Sequence, residues 1–310
     1  MIKQNDPIVI TGSRGLVGSA VVERLRNGLY TCVIPHTRED CDLRDPTSTA
    51  EWFKRVKPYH VFHAAACVYG LGGNMANQGK SILENTLINT NVIEACHAAG
   101  SVRKLTVMGT NAIYPENASS PWNELDIFSG RPHAGEAGYG HAKRHMLAML
   151  EAYEQSYGMN FTYIVSGNIY GPRDRFDAET GHVIPSLIRK FADRKRTGEG
   201  VVIWGDGSPE RDFLHSEDLA RVVQLLMSED IRSGPINIGY GATYSIRDVV
   251  DTLTYISGIN PDRIYFDRTK PNGRLNCRLD LRRIQGLGFT PEINLTTGLR
   301  STWDWYTAKA

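Results

Sequence analysis

Thr11-Gly12-Ser13-Arg14-Gly15-Leu16-Val17-Gly18 follows the apolar run Pro7–Thr11 and opens into the amphipathic stretch Val17–Arg26. The order strand, glycine loop, helix decides the fold. Gly12 permits a tight turn, Gly15 lets backbone approach a pyrophosphate, and Gly18 lets the helix pack close to the strand. The helix start then aims its free N–H groups at phosphate oxygens. Gly12, Ser13, Arg14, Gly15, Leu16, Val17 and Gly18 therefore read as a dinucleotide loop. The alternative is a structural β–α turn.

Outward from this loop, short apolar runs alternate with helical patterns. Thr31–Pro35, Tyr59–Ala65, Arg103–Gly109 and Phe161–Ser166 read as strands. Thr47–Val56, Glu84–Ala99 and Tyr139–Tyr157 read as helices. This alternation predicts an α/β fold, a Rossmann-type doubly wound parallel sheet. Beyond Gly171–Pro172 the pattern loosens. A charged, glycine-containing loop at Arg173–His182 precedes a helix at Ile184–Asp193, a strand at Val201–Trp204 and a turn-rich Gly205–Arg211. Helices follow at Ser216–Met227 and Ser245–Ser257. The expectation is a dinucleotide-binding domain over residues 1–170 and a smaller C-terminal substrate-binding lobe over 171–310, interleaved with the first.

Composition narrows the function classes. The 310 residues are 41% hydrophobic and 22% charged, which excludes disordered, collagen-like and coiled-coil chains. Lys+Arg number 35 against 34 Asp+Glu, so no basic excess calls for nucleic acid. Five cysteines without a CxxC pair argue against a disulfide framework or a metal site and for a reducing, cytoplasmic setting. No signal peptide is read at the N-terminus, and no apolar run reaches the ~18 residues of a membrane span.

The end of the second strand sets cofactor choice. An NAD site places an acid there for the ribose 2′-hydroxyl, but this chain has His36-Thr37-Arg38. Arg38 and Arg14 can face a 2′-phosphate, which favours NADP(H). The alternative is two solvated arginines. Asp42-Leu43 is placed to meet the adenine edge. Further on, Tyr139-Gly140-His141-Ala142-Lys143 sets a phenol and an amine one helical turn apart. A lysine cation there is expected to lower the tyrosine pKa and ready it for proton transfer at a carbonyl or alcohol oxygen. Thr110, at the end of the fourth strand, offers a hydroxyl to the same oxygen.

These residues resemble the extended short-chain dehydrogenase/reductase family over nearly the whole chain, and within it the GDP-L-fucose synthase subgroup. The stretches that carry the likeness include GSRGLVGSA, VFHAAACV, MGTNAIYP, YGHAK, GNIYGPRDRF, GHVIPSLIRKF, WGDGSPERDFLH and the TKPNG turn. The resemblance implies a hydride-transfer triad of Thr110, Tyr139 and Lys143, with Lys143 also on the nicotinamide ribose. It implies cofactor contacts from Ala64, Ala65 and Ala66 and from Ser166, Gly167, Asn168 and Ile169. His182 matches the family's acid for epimerisation and a cofactor contact. Lys190, Trp204 and Arg211 match residues that hold GDP, with Asn168 and Asn272 also on the substrate side. For Arg211 the alternative is an ion pair with Asp212 or Glu210, and for His182 a loop histidine without chemistry. A homodimer through the helices near Glu84–Ala99 and Tyr139–Tyr157 is implied too.

Two departures matter. The subgroup's epimerisation base is a cysteine two residues after the triad hydroxyl, where this chain has Ala112. The subgroup has lysine where this chain has Cys67, for which inert packing is expected. The implied function is NADPH-dependent reduction of the C4 ketone of a GDP-linked 4-keto-6-deoxy sugar without epimerisation. A bifunctional 3,5-epimerase/4-reductase is the alternative, followed by a non-enzymatic NADP-binding regulator. A dehydratase is disfavoured, because Asn111 and Ala112 replace the acid pair it needs.

Overall fold

A computed structural model describes residues 2–177, 181–228, 230–231, 233–270 and 278–309. Its first half alternates β1 (Ile8–Thr11), α1 (Leu16–Asn27), β2 (Val33–Pro35), α2 (Pro46–Val56), β3 (His60–His63), α3 (Gly70–Ala76), α4 (Gln78–Ala99), β4 (Lys104–Met108), α5 (Ala137–Tyr157) and β5 (Phe161–Ser166). The second half contains β6 (Asn168–Tyr170), α6 (Val183–Thr197), β7 (Val201–Trp204), β8 (Glu210–His215), α7 (Ser216–Leu226), β9 (Ser233–Ile238), β10 (Thr243–Ser245), α8 (Ile246–Ser257), β11 (Ile264–Asp267), α9 (Arg282–Gly286) and α10 (Leu295–Thr307).

Six parallel strands form the main sheet in the order β2-β1-β3-β4-β5-β9. Every residue of β1, β3, β4 and β5 is buried, because helices cover both faces. α1 packs with α7 on one side, and α4 packs with α2 and α5 on the other. The strand order reverses between β1 and β3, so their carboxyl ends part and open a crevice there. The expected doubly wound sheet is therefore present.

The second half supplies two smaller sheets, β10-β8-β6 and β11-β7. Leu187, Ile188, Phe191, Val249, Leu253, Leu299 and Trp303 form a separate apolar cluster around them. The chain beyond residue 170 also returns to the main sheet: Val222 and Leu226 of α7 and Ile236 and Ile238 of β9 pack in the first core. Sequence periodicity did not point to β9, and it started α4 six residues late. It also read Gly205–Arg211 as turn alone, whereas β8 begins at Glu210.

Glycine is required at two points of the first turn. Gly12 sits at φ 68°, and a Cβ there would lie 2.8 Å from the backbone of Ala64 and Ala65. A Cβ on Gly18 would lie 2.2 Å from the Gly12 carbonyl oxygen. The helix and the two strand ends thus touch backbone to backbone.

Candidate active site

A cleft of about 550 Å³ opens at the reversal point. The whole loop Gly12–Gly18 lines it, together with Arg38, Asp42 and Leu43, and Ala64, Ala65 and Ala66 after β3. Arg173, Asp174, Arg175 and His182 also line it. Thr11 Oγ1 accepts the N–H groups of Ala64 and Ala65, each at 3.2 Å, and lies 2.7 Å from His63 Nδ1. These contacts lock the two strand ends together beneath the loop. α1 follows Gly15, its N-cap, with no side-chain cap and no acidic residue in its first turn. Its leading N–H groups are left for an anion, so the cradle fits a dinucleotide phosphate.

Two side chains of the rim already have partners in the folded chain. Arg14 lines the cleft, but its guanidinium is already engaged: Nη1 and Nη2 donate to the Glu39 carboxylate at 2.8 and 2.7 Å. Asp42 lines the cleft too, yet Arg44 holds its carboxylate from the side, with Nη2 2.6 Å from Oδ2. That hydrogen bond, more than any other contact, brings the Asp42 pKa down to about 2. Arg38 remains at the cleft wall.

At the carboxyl end of β4, Thr110 begins the turn on which α5, the helix of Tyr139 and Lys143, packs. Thr110 caps the short turn Asn111–Ile113, its hydroxyl oxygen accepting the Ala112 N–H at 3.2 Å. No acceptor among the described residues takes its hydroxyl proton, which leaves Thr110 a donor. α5 lies directly on this turn: a Cβ on Gly140 would sit 2.6 Å from the Ala112 carbonyl oxygen. Arg144 Nε donates to the Ile113 carbonyl at 2.7 Å, and Tyr163 of β5 donates to the Lys143 carbonyl at 3.0 Å. Helix, turn and strand are thus fixed against each other around the phenol. Ala112 is buried, and its methyl carries no group that can take a proton.

The expected effect of Lys143 on Tyr139 is not what the structure shows. Burial raises the Tyr139 phenol well above its ordinary value, with Glu136 and Cys67 adding to the rise. Burial also brings Lys143 down to about 7. Its Nζ donates to the Met108 carbonyl at 2.8 Å and lies 5.8 Å from the Tyr139 ring centre. A half-charged amine at that distance does not offset the loss of water around the phenol.

Ser166 is buried at the end of β5, on the same sheet edge, and Asn168 and Ile169 begin β6 just beyond. Asn168 Nδ2 donates to the Asp212 carbonyl at 3.5 Å. His182 precedes α6, with Nδ1 3.5 Å from Asp174 Oδ1, and this hydrogen-bonding partner raises its pKa. Midway along α6, Lys190 Nζ lies 5.1 Å from the Trp204 ring centre, and Lys270 Nζ lies 5.8 Å from it. Arg211 sits on β8 opposite Tyr244 and donates to the Glu210 carbonyl at 2.7 Å. The Asp212 carboxylate accepts the Tyr240 and Gly241 N–H groups instead. Asn272 falls outside the described residues.

Sequence reasoning missed Glu39 as the partner of Arg14, Lys270 beside Trp204, and Asp174 in the cleft. Asp174 and Lys270 lie in motifs whose likeness was noted, but nothing local marks either as functional. Cys67 lines the cleft and is only half-buried, so it is not sealed in the core as expected. Burial and a hydrogen bond to Glu84 hold its pKa up, which keeps it a thiol.

The profile of the NAD-dependent epimerase/dehydratase family matches residues 8–239. Among curated proteins, the chain is 35% identical over 300 residues to the probable GDP-L-fucose synthase 1 of Oryza sativa subsp. japonica, covering 96% of this chain and 91% of that one. Among solved structures, it matches a GDP-6-OMe-4-keto-L-xylo-heptose reductase from C. jejuni with a TM-score of 0.90 at 31% identity, over 100% and 99% of the two chains. It also matches the GDP-mannoheptose C4 reductase of Campylobacter jejuni, solved with NADP bound, with a TM-score of 0.87 at 31% identity, over 99% and 100%.

Burial of Lys143 makes a signed prediction. Its pKa is about 7 in the folded chain against 10.5 for the free side chain. Between those values the unfolded chain binds more protons, so this group makes stability rise with pH. Lys143→Met removes it from both states. The variant's stability relative to the natural chain should therefore grow as pH falls from 10.5 to about 7, then level off. Urea unfolding at about pH 9 and about pH 7 checks this. A stability difference that stays constant across that window would contradict a buried, readily discharged amine.

Proposed function

Because the chain belongs to the NAD-dependent epimerase/dehydratase family, we propose that it is an NADPH-dependent reductase of the C4 ketone of a GDP-linked 4-keto-6-deoxy sugar, without epimerase activity. The observation that supports the reading most is the packing of α5, with Tyr139 and Lys143, on the turn that Thr110 caps and Ala112 helps form, in the sheet that also bears the glycine cleft. The first lobe would hold the cofactor and the second the GDP moiety. Lys190 and Lys270 flanking Trp204 offer two cations and an aromatic face to a diphosphate and a base.

Bound NADPH supplies the hydride. Tyr139 keeps its proton at neutral pH because burial raises its pKa, and it gives that proton to the C4 oxygen as charge develops there. Thr110 donates a hydrogen bond to the same oxygen and orients it, keeping its own proton. Lys143, titrating near 7, is placed to balance the phenolate that remains. Neither Ala112 nor Cys67 supplies a base at C3 or C5: one is a methyl group and the other a thiol whose pKa is raised. That favours the reading over a bifunctional 3,5-epimerase/4-reductase, and the retained Tyr139 and Lys143 favour it over a non-catalytic regulator.

The same reading includes a cytoplasmic homodimer. Cys32, Cys41, Cys67 and Cys96 are free thiols, and no helix among the described residues is long and apolar enough to cross a membrane. α4 and α5 pack together and leave Leu83 and Leu87, one turn apart on α4, exposed.

Incubation with NADPH and a panel of GDP-4-keto-6-deoxy hexoses and heptoses, followed by NMR of the products, tests the activity. NADPH oxidation coupled to a C4 alcohol is expected, and Tyr139→Phe should slow it by about 10²–10⁴-fold while still binding NADPH. Turnover of no panel member, or near-normal turnover by the variant, would contradict the assignment.

The cofactor rim yields a second prediction. Arg38→Ala should weaken NADPH by about 10–100-fold and NADH far less. Glu39→Gln releases Arg14 from its exposed ion pair and should tighten NADPH more than NADH. Equal changes for both cofactors in titrations of the two variants would show that neither arginine meets a 2′-phosphate.

A further inference from the structure

Asp174 carries a carboxylate that the proposed reaction does not use. Its side chain is 4% exposed, and it lines the dinucleotide cleft. Oδ1 accepts the Arg175 N–H at 2.7 Å and lies 3.5 Å from His182 Nδ1. Oδ2 is buried and has no hydrogen-bond partner among the described residues. A carboxylate oxygen removed from water without a donor costs free energy, and such atoms are rare in folded chains.

The segment around it is held in place. Gly171 and Arg173 take φ values of 153° and 65°, which turn the chain sharply after β6. Phe176 stacks on Tyr306 at 4.5 Å and on Trp305 at 5.8 Å, both on α10. Arg189 of α6 donates to the Phe176 carbonyl at 3.4 Å. These contacts keep Asp174 from turning out to solvent.

We infer that Asp174 is a ligand-binding residue whose Oδ2 accepts a hydrogen bond from an uncharged O–H or N–H of a molecule in the cleft. The chemistry fits a ribose hydroxyl or carboxamide of the dinucleotide, and equally a hydroxyl of the sugar. The dinucleotide is favoured, because Asp174 shares its cleft with the glycine loop. This rests on the reading of that cleft as an NADP(H) site.

Titration of the full chain with NADPH, without sugar, tests the assignment. Asp174→Asn keeps the volume and removes the charge, and NADPH should bind about 10–100-fold more weakly. Unchanged NADPH affinity with a KM for the sugar nucleotide raised by a similar factor supports the contact and gives the donor to the sugar. No change in either overturns it. Asp174→Asn is repeated in a His182→Gln background. A direct contact keeps its effect there, whereas a residue that merely holds His182 loses it, and that result overturns the inference. If Asp174→Asn does not fold, a crystal structure of the natural chain with NADPH and GDP decides. A ligand donor within about 3.2 Å of Oδ2 supports the contact, and water in that place refutes it. A natural chain that binds neither NADPH nor NADH overturns the cleft reading as well, which distinguishes the two failures.

Discussion

Backbone meets backbone where α1 leaves β1, and the site is built on that approach. Gly12, in the left-handed region, brings the loop against Ala64 and Ala65. Gly18 lets α1 lie on the Gly12 carbonyl. A side chain at either point would push the helix off the two strand ends, and overpacking of this kind commonly costs about 1–3 kcal/mol. The same closeness leaves the helix N-terminus uncapped and facing the crevice. Thr11, bonded to both Ala64 and Ala65, makes the floor of the cleft one rigid piece.

Burial then sets the protonation of the groups around that floor. The motif of a tyrosine and a lysine one turn apart suggests a depressed phenol. In the folded chain desolvation dominates: it raises Tyr139 and lowers Lys143 to about 7. For a reductase this suits the task, since the C4 oxygen needs a proton and a buried neutral phenol holds one. In the proposed reaction the turn after Thr110 offers the methyl group of Ala112 and no base. Protonation at oxygen and the proposed lack of abstraction at carbon thus rest on separate features of the site.

Features carried by local spacing could be read from sequence. The glycine loop needs only its own residues, the paired tyrosine and lysine need one helical turn, and strands such as the fully buried β5 and the half-buried β7 show as β-branched and aromatic runs. β9 escaped because Gly234 and Pro235 interrupt its apolar run. Proline is tolerated there because β9 is the last strand of the sheet and has a free edge. β8 was hidden by charged residues at its start. Within the site, Glu39 and Asp174 matter through partners that only folding supplies. Arg14 meets Glu39 from 25 residues away, and Asp174 meets His182 across a loop. Neither pairing has a periodicity or motif, so no single-sequence signal marks it.

The central claim is that this fold reduces at C4 without moving protons at C3 or C5. Reduction of GDP-4-keto-6-deoxy-mannose by the natural chain with NADPH in D₂O, followed by NMR of the product, tests it most directly. Protium retained at both carbons, with the C4 ketone reduced, is the predicted result. Enzyme-dependent deuterium at C3 or C5, above that seen without enzyme, would contradict it and require a base that Ala112 does not provide.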